Sequence, residues 1–83
     1  MISPNEIKQQ ISDINWLAKT ASSHPNYSNR KWFVAYRRHL AACLEQLTSL
    51  YNTFIDGYAK KIEVDYTHID KLYDRWAKEH GGK

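Results

Sequence analysis

The stretch RKWFVAYRRHLAACLEQLTSLYNTFID, residues 30–56, repeats its apolar residues at one period over roughly seven helical turns. Stepping each residue by 100° places Trp32, Phe33, Tyr36, Leu40, Cys43, Leu44, Leu47, Leu50, Tyr51, Phe54 and Ile55 within one sector roughly 140° wide, and Tyr58 beyond it continues the stripe. No proline or glycine interrupts the run before Asp56-Gly57. The spacing therefore predicts a helix of about 27 residues, ~40 Å long. It ends at Asp56 or passes a weak point at Gly57 and continues to about Glu63.

The flanking segments are shorter. Residues 2–7, ISPNEI, carry the marks of a helix start. Ser3 is the expected N-cap, Pro4 occupies the first helical position, Glu6 closes a capping box, and Ile2 can staple onto Ile7. Ile7, Ile11, Ile14, Leu17, Ala18 and Ala21 then recur at helical spacing, which predicts a helix over 4–21. SSHPNYSN, residues 22–29, reads as a loop, with Ser28 or Asn29 capping the central helix. After VDYT, a Thr67/Asp70 box opens a last helix over 67–80, striped by Ile69, Leu72, Tyr73, Trp76 and Ala77 and stopped by Gly81 and Gly82. The fold class is all-α: a three-helix bundle with a long central helix, and a short fourth helix after Gly57 as its variant. The central helix outruns its partners, so its overhanging face needs a cover. The connection around Val64 and Tyr66, a second copy of the chain (a homodimer), or another protein would supply one.

Eighty-three residues form one expected domain, 1–83, and a chain of this length buries only about 60–65% of its unfolded surface. That leaves little room for a deep catalytic pocket. Cys43 is the only cysteine, so no internal disulfide exists, and the amino terminus lacks a leader pattern. A cytoplasmic location is expected. The apolar runs WFVAY and LAACL are far shorter than the ~20 residues of a membrane helix, so no membrane partner is expected.

Catalytic and metal chemistry find no support in the spacing. His39 and Cys43 stand four apart, but the further ligands that zinc needs have no recognisable spacing, so no metal and no cofactor is expected. No nucleophile is paired with a base in a known signature, and no glycine loop could cradle a phosphate. Arg75-x4-His80 has the spacing of the Arg-x4–6-His signature of HEPN ribonucleases over six residues only. Those proteins are larger helical bundles, and chance spacing is the reading adopted. The chain is expected not to be an enzyme.

Charge is the informative property. The net charge is +3, and residues 30–39 alone carry +4. Arg30, Lys31, Arg37 and Arg38 fall in a sector about 120° wide beside the apolar one, while Trp32, Phe33 and Tyr36 turn inward. This separation removes the interleaving that a base-stacking platform needs. Cations in a first turn oppose the helix dipole by a few tenths to ~1 kcal/mol each, and no acidic residue four positions away relieves them. The ridge is thus a seat for phosphates or for the carboxylates of an acidic partner. Trp16 falls about 180° from the first helix's stripe and is the candidate apolar anchor.

The first expectation is a small accessory or inhibitory protein, similar in size to those of phages and mobile elements. It docks on a larger protein or nucleoprotein complex through Arg30, Lys31, Arg37, Arg38 and Trp16. The alternative partner is nucleic acid. YAKKIEVDYTHIDKLYDRW, residues 58–76, resembles a helix-turn-helix unit through Ala59, Ile62, Val64, Ile69 and Leu72. That resemblance implies a small DNA-binding regulator with Lys60, Lys61, Tyr66, Thr67, His68 and Lys71 toward DNA. Asp65, Asp70 and Asp74 in the same unit have the wrong sign for phosphate.

Overall fold

Ser3 opens the first helix as expected: its hydroxyl accepts the Glu6 N–H at 3.3 Å, and Pro4 stands at the first helical position. The computed structural model describes residues 3–55, 57 and 60–80. It contains three α-helices in chain order, α1 (Pro4–Thr20), α2 (Arg30–Phe54) and α3 (Thr67–Glu79), with one 3-10 turn (Ala21–Ser23) after α1 and no strand among the described residues. The staple from Ile2, the apolar positions Tyr58 and Ala59, and the stop at Gly81-Gly82 lie outside the described residues.

α2 is capped by Asn29, whose side chain accepts the Trp32 N–H at 3.0 Å. Its far end decides between the two expected lengths. Ile55 turns to an extended conformation (φ −89°, ψ 149°), and Gly57 takes φ +89°, a left-handed value that glycine adopts without the clash a Cβ brings. The continuation to Glu63 is therefore not formed, and residues 61–66 run without helix. Asn52 holds that segment against α2 with two bonds: its amide donates to the Ile62 carbonyl (2.8 Å) and its side-chain oxygen accepts the Ile62 N–H (2.9 Å). One asparagine thus supplies the partners an added strand would have supplied.

The start of α3 also differs from expectation. Asp65, not Thr67, supplies the capping oxygen, accepting the Thr67 N–H at 3.0 Å. Bonds from the Thr67 side chain and backbone hold its carboxyl below the ordinary carboxylate range. An aspartate two residues ahead of a free N–H bonds it in an Asx turn, and that bond takes the place of the expected box.

The helices form a rod of 46 × 23 × 16 Å. α1 runs antiparallel to α2 along its length, and α3 returns beside the amino-terminal half of α2, with Phe33 stacked on Trp76 at 4.6 Å. The core is Ala18, Ala21, Phe33, Leu40, Leu44, Ile69 and Leu72, with Ile11, Leu17 and Val64 packed against it. Tyr27 belongs to that core as well, although it sits in a segment that reads as plain loop. Ile7, fully buried, extends the apolar contact of α1 toward the carboxyl end of α2.

Candidate functional site

The loop between α1 and α2 is built from its own bonds. The His24 Nδ1 accepts the Asn26 N–H at 3.0 Å, Tyr27 N–H donates to the His24 carbonyl, and Asn29 N–H donates to the Asn26 carbonyl. This compact turn sends Tyr27 inward, where its hydroxyl donates to Glu79 at 2.6 Å and its carbonyl accepts the Trp76 indole N–H at 2.7 Å. Burial, then the Glu79 bond and charge, push the Tyr27 hydroxyl up to about 12, with Arg75 opposing. The end of α3 is thereby fastened to the start of α2.

That fastening gathers charge. Arg75 reaches back to the Lys19 carbonyl (3.5 Å), so the last turn of α1, the first turns of α2 and the last turns of α3 share one end of the rod. Among the described residues, Lys19, Arg30, Lys31, Arg37, Arg38, Arg75 and Lys78 gather toward that end, with Asp74 and Glu79 as the acids there. Toward the opposite end, among the described residues, Glu6 and Glu63 stand with Lys8, Lys60 and Lys61, while Asp13, beside Cys43 and Gln46, and Glu45, bonded by Tyr66, lie nearer the middle of the rod. The sequence pattern shows the α2 cations but not that Lys19 joins them once the helices lie side by side; Arg75 and Lys78 come to the same end but are balanced there by Asp74 and Glu79.

The expected ridge divides. Arg30, Lys31 and Arg38 are exposed. Arg37 is half-buried, with its guanidinium 4.8 Å from the Tyr73 ring centre and its Nε buried without a hydrogen-bond partner. It faces α3 because it lies on the side of α2 next to Ala41, where α3 packs, so its role is contact between helices. Trp16 stands 61% exposed on α1, and neither the loop nor α3 covers it.

The aromatic residues also differ from expectation. Phe33 is fully buried, but Trp32 and Tyr36 are half-buried and stack on each other at 4.5 Å, with His24 on Trp32 at 4.3 Å. They lie at the edge of the sector, and α1 covers only its centre. A shallow cleft of 400 Å³ connects Trp16, His24 and Tyr36. On the other side of the cations, His80 stacks on Trp76 at 4.4 Å and donates from Nδ1 to its carbonyl. Arg30, Ser28, Tyr73 and His80 line a groove of 260 Å³ there.

The alternative site is dispersed. Residues 61–66 are not helical, so the first helix of a helix-turn-helix unit is missing across them, and Ala59 lies outside the described residues. Tyr66 donates its hydroxyl to Glu45 on α2, which raises its ionisation above the ordinary tyrosine value. His68 is half-buried and Thr67 gives its N–H to the cap of α3, while Lys60 and Lys61 are exposed on the connection and Lys71 on α3. The physical reason is Gly57 with Asn52: they end α2 early and hold the connection extended. His39 and Cys43 are 3.7 Å apart, and no group of three potential metal ligands converges among the described residues. Among the same residues, no helix is long and apolar enough to cross a membrane.

Fold and site define an all-α three-helix protein with one basic, tryptophan-bearing end. No protein-family model, no curated protein and no solved structure matches the chain.

Proposed function

We propose that this chain is a non-catalytic binding protein, an accessory or inhibitory factor that docks its basic end on the acidic surface of a larger protein. The observation that carries this reading is the gathering of the exposed cations Lys19, Arg30, Lys31 and Arg38 at one end of the rod, with Trp16 exposed on α1 toward that same end. Exposed cations scattered over a surface contribute little, but a focused field of one sign steers an oppositely charged partner and fixes its orientation. Tryptophan and arginine are the residues that most often carry interface energy, and here both are exposed. Acidic protein is favoured over nucleic acid because Asp74 and Glu79 lie among the cations, where a phosphate backbone would meet repulsion.

Affinity capture from a nuclease-treated extract of the source cells tests the proposal. The baits are wild type, Arg30→Glu/Arg38→Glu and Trp16→Ala, each checked for helicity by circular dichroism. Arg37 is avoided because it packs on Tyr73. A protein held by wild type and lost from both variants is the expected result. Identical captures from all three baits would sink the reading, and a capture seen only from an extract left without nuclease would transfer the target to nucleic acid. Binding to random duplex DNA across a salt series adds an independent measure, since contact with several phosphates produces a steep loss of affinity with salt.

A further inference from the structure

Exposed apolar surface and cationic side chains meet in the groove between α2 and α3. Phe33 and Trp76, stacked at 4.6 Å, form its floor, and Arg30 and Val34 on α2 face Tyr73, Ala77 and His80 on α3 across it. Val34 and Tyr73 are 43% and 46% exposed, so part of this apolar lining lies open to solvent. The volume of 260 Å³ falls short of the roughly 300–1,000 Å³ of small-molecule pockets and suits one large side chain.

The charges around the groove are mostly of one sign. Arg30 lines it, and the Arg37 guanidinium lies over the Tyr73 ring toward the middle of the rod. At 100° per residue, Lys31 and Arg38 fall about 40–60° beyond Val34, on the α2 rim. On the α3 rim Asp74 falls about 60° beyond Ala77 and Lys78 about 100° beyond it, while Glu79 turns away to the Tyr27 hydroxyl. Among the described residues, Asp74 is thus the acid that stands against the four cations of α2.

We infer that this groove receives an acidic segment of the docking partner: one aromatic side chain of the segment enters between Val34 and Tyr73, and its flanking carboxylates lie on Arg30, Lys31 and Arg38. The inference rests on the docking reading above and names the place and the chemistry by which the partner is held. A ring suits walls made of Phe33, Tyr73 and Trp76, because aromatic side chains pack offset or edge-on against one another. Carboxylates suit the α2 rim, where a guanidinium group binds them through two parallel hydrogen bonds. A basic segment is repelled from that rim, and a bare inorganic anion leaves the apolar walls wet. An apolar centre inside a charged rim is also how binding energy is concentrated at protein interfaces.

The purified chain and a synthetic probe test the groove apart from the natural partner. The probe is the acetylated, amidated pentapeptide EEFEE, titrated at low salt into isotope-labelled chain and followed by NMR, with EEAEE, KKFKK and inorganic phosphate as comparisons. EEFEE should shift the Trp76 indole N–H, which is bonded to the Tyr27 carbonyl, and the backbone amides of Val34 and Ala77 along one saturating curve, with a Kd on the order of 1 mM or tighter. EEAEE and phosphate should bind at least about tenfold more weakly, and KKFKK should leave these signals in place. Arg30→Gln should raise the Kd about two- to fivefold. Val34→Glu changes an exposed position one turn from both Arg30 and Arg38, and should abolish binding while circular dichroism stays unchanged. Trp16→Ala should leave binding intact, because Trp16 does not line this groove. Shifts that spread without saturating overturn the inference, as does equal binding of EEAEE, KKFKK or phosphate, or binding that survives Val34→Glu. If the groove fails in one of these ways while capture from extract is still lost from Arg30→Glu/Arg38→Glu and from Trp16→Ala, the docking reading stands and only its seat is wrong.

Discussion

Replacing Tyr27 with phenylalanine should remove one arm of the pH-stability curve. In the native chain the residue is buried, 8% exposed, and its hydroxyl donates a hydrogen bond to Glu79; burial first, then that bond, moves its ionisation from about 10 to about 12. A raised value means that the native state holds the proton more tightly than the unfolded state. Stability is then full below about pH 10 and falls as pH rises through about 12. Two units correspond to about 2 to 3 kcal/mol, a large share of what a domain this small possesses. For a chain of this length that is a fall of about 10–20 °C in Tm. Tyr27→Phe keeps the ring against Phe33 (6.0 Å, edge-on) and loses only the hydrogen bond, about 1 kcal/mol, because Glu79 is exposed and water replaces the lost donor. The variant should therefore be slightly weaker at pH 8 and equal or stronger at pH 12. Urea unfolding followed by circular dichroism at half-unit steps from pH 8 to 12 gives both curves. Tyr36 and Tyr66, also raised, are common to the two chains and cancel in the difference. Curves that remain parallel over the whole range would refute the assignment of the tie.

Phe33→Ala should empty the centre of the aromatic cluster and cost about 3–5 kcal/mol, enough to unfold most of the population at 37 °C, as thermal melts would record. Asn52→Ala leaves the Ile62 N–H and carbonyl without their partner and should cost about 1–2 kcal/mol. Its sharper signature is hydrogen exchange: protection of the Ile62 amide should disappear while Leu44 on α2 stays protected. Arg37→Ala should lower stability by about 0.5–1 kcal/mol through loss of its place over Tyr73, whereas Arg38→Ala should leave the melting temperature unchanged. Equal effects of these two changes would show that Arg37 does not join the helices.

The helices themselves were legible in the letters. Local rules operate over four or five residues, so Ser3-Pro4, Asn29 and the periodic stripes locate α1, α3 and the start of α2 to within a residue or two, while the end of α2 stayed open between about 56 and 63 and falls at Phe54. Where the expectation slipped, a side chain far along the chain had intervened. Asn52 captures Ile62 ten residues on, so residues 61–66 stay out of helix and the helix-turn-helix resemblance has no helix across them. Tyr27 enters the core because Glu79 and Trp76, about fifty residues away, give its hydroxyl and its carbonyl partners.

Sequence by itself determined the fold class, the long central helix and the cationic first turns of α2, because propensity, capping and periodicity are properties of neighbouring residues. Only the tertiary structure decided which of those cations are exposed, since Arg37 turns to Tyr73 while Arg30, Lys31 and Arg38 do not. It also decided that Lys19, Arg75 and Lys78 join them and that Trp16 stays outside. Charge acts through distance in space, and antiparallel helices bring residues half a chain apart to the same end of the rod.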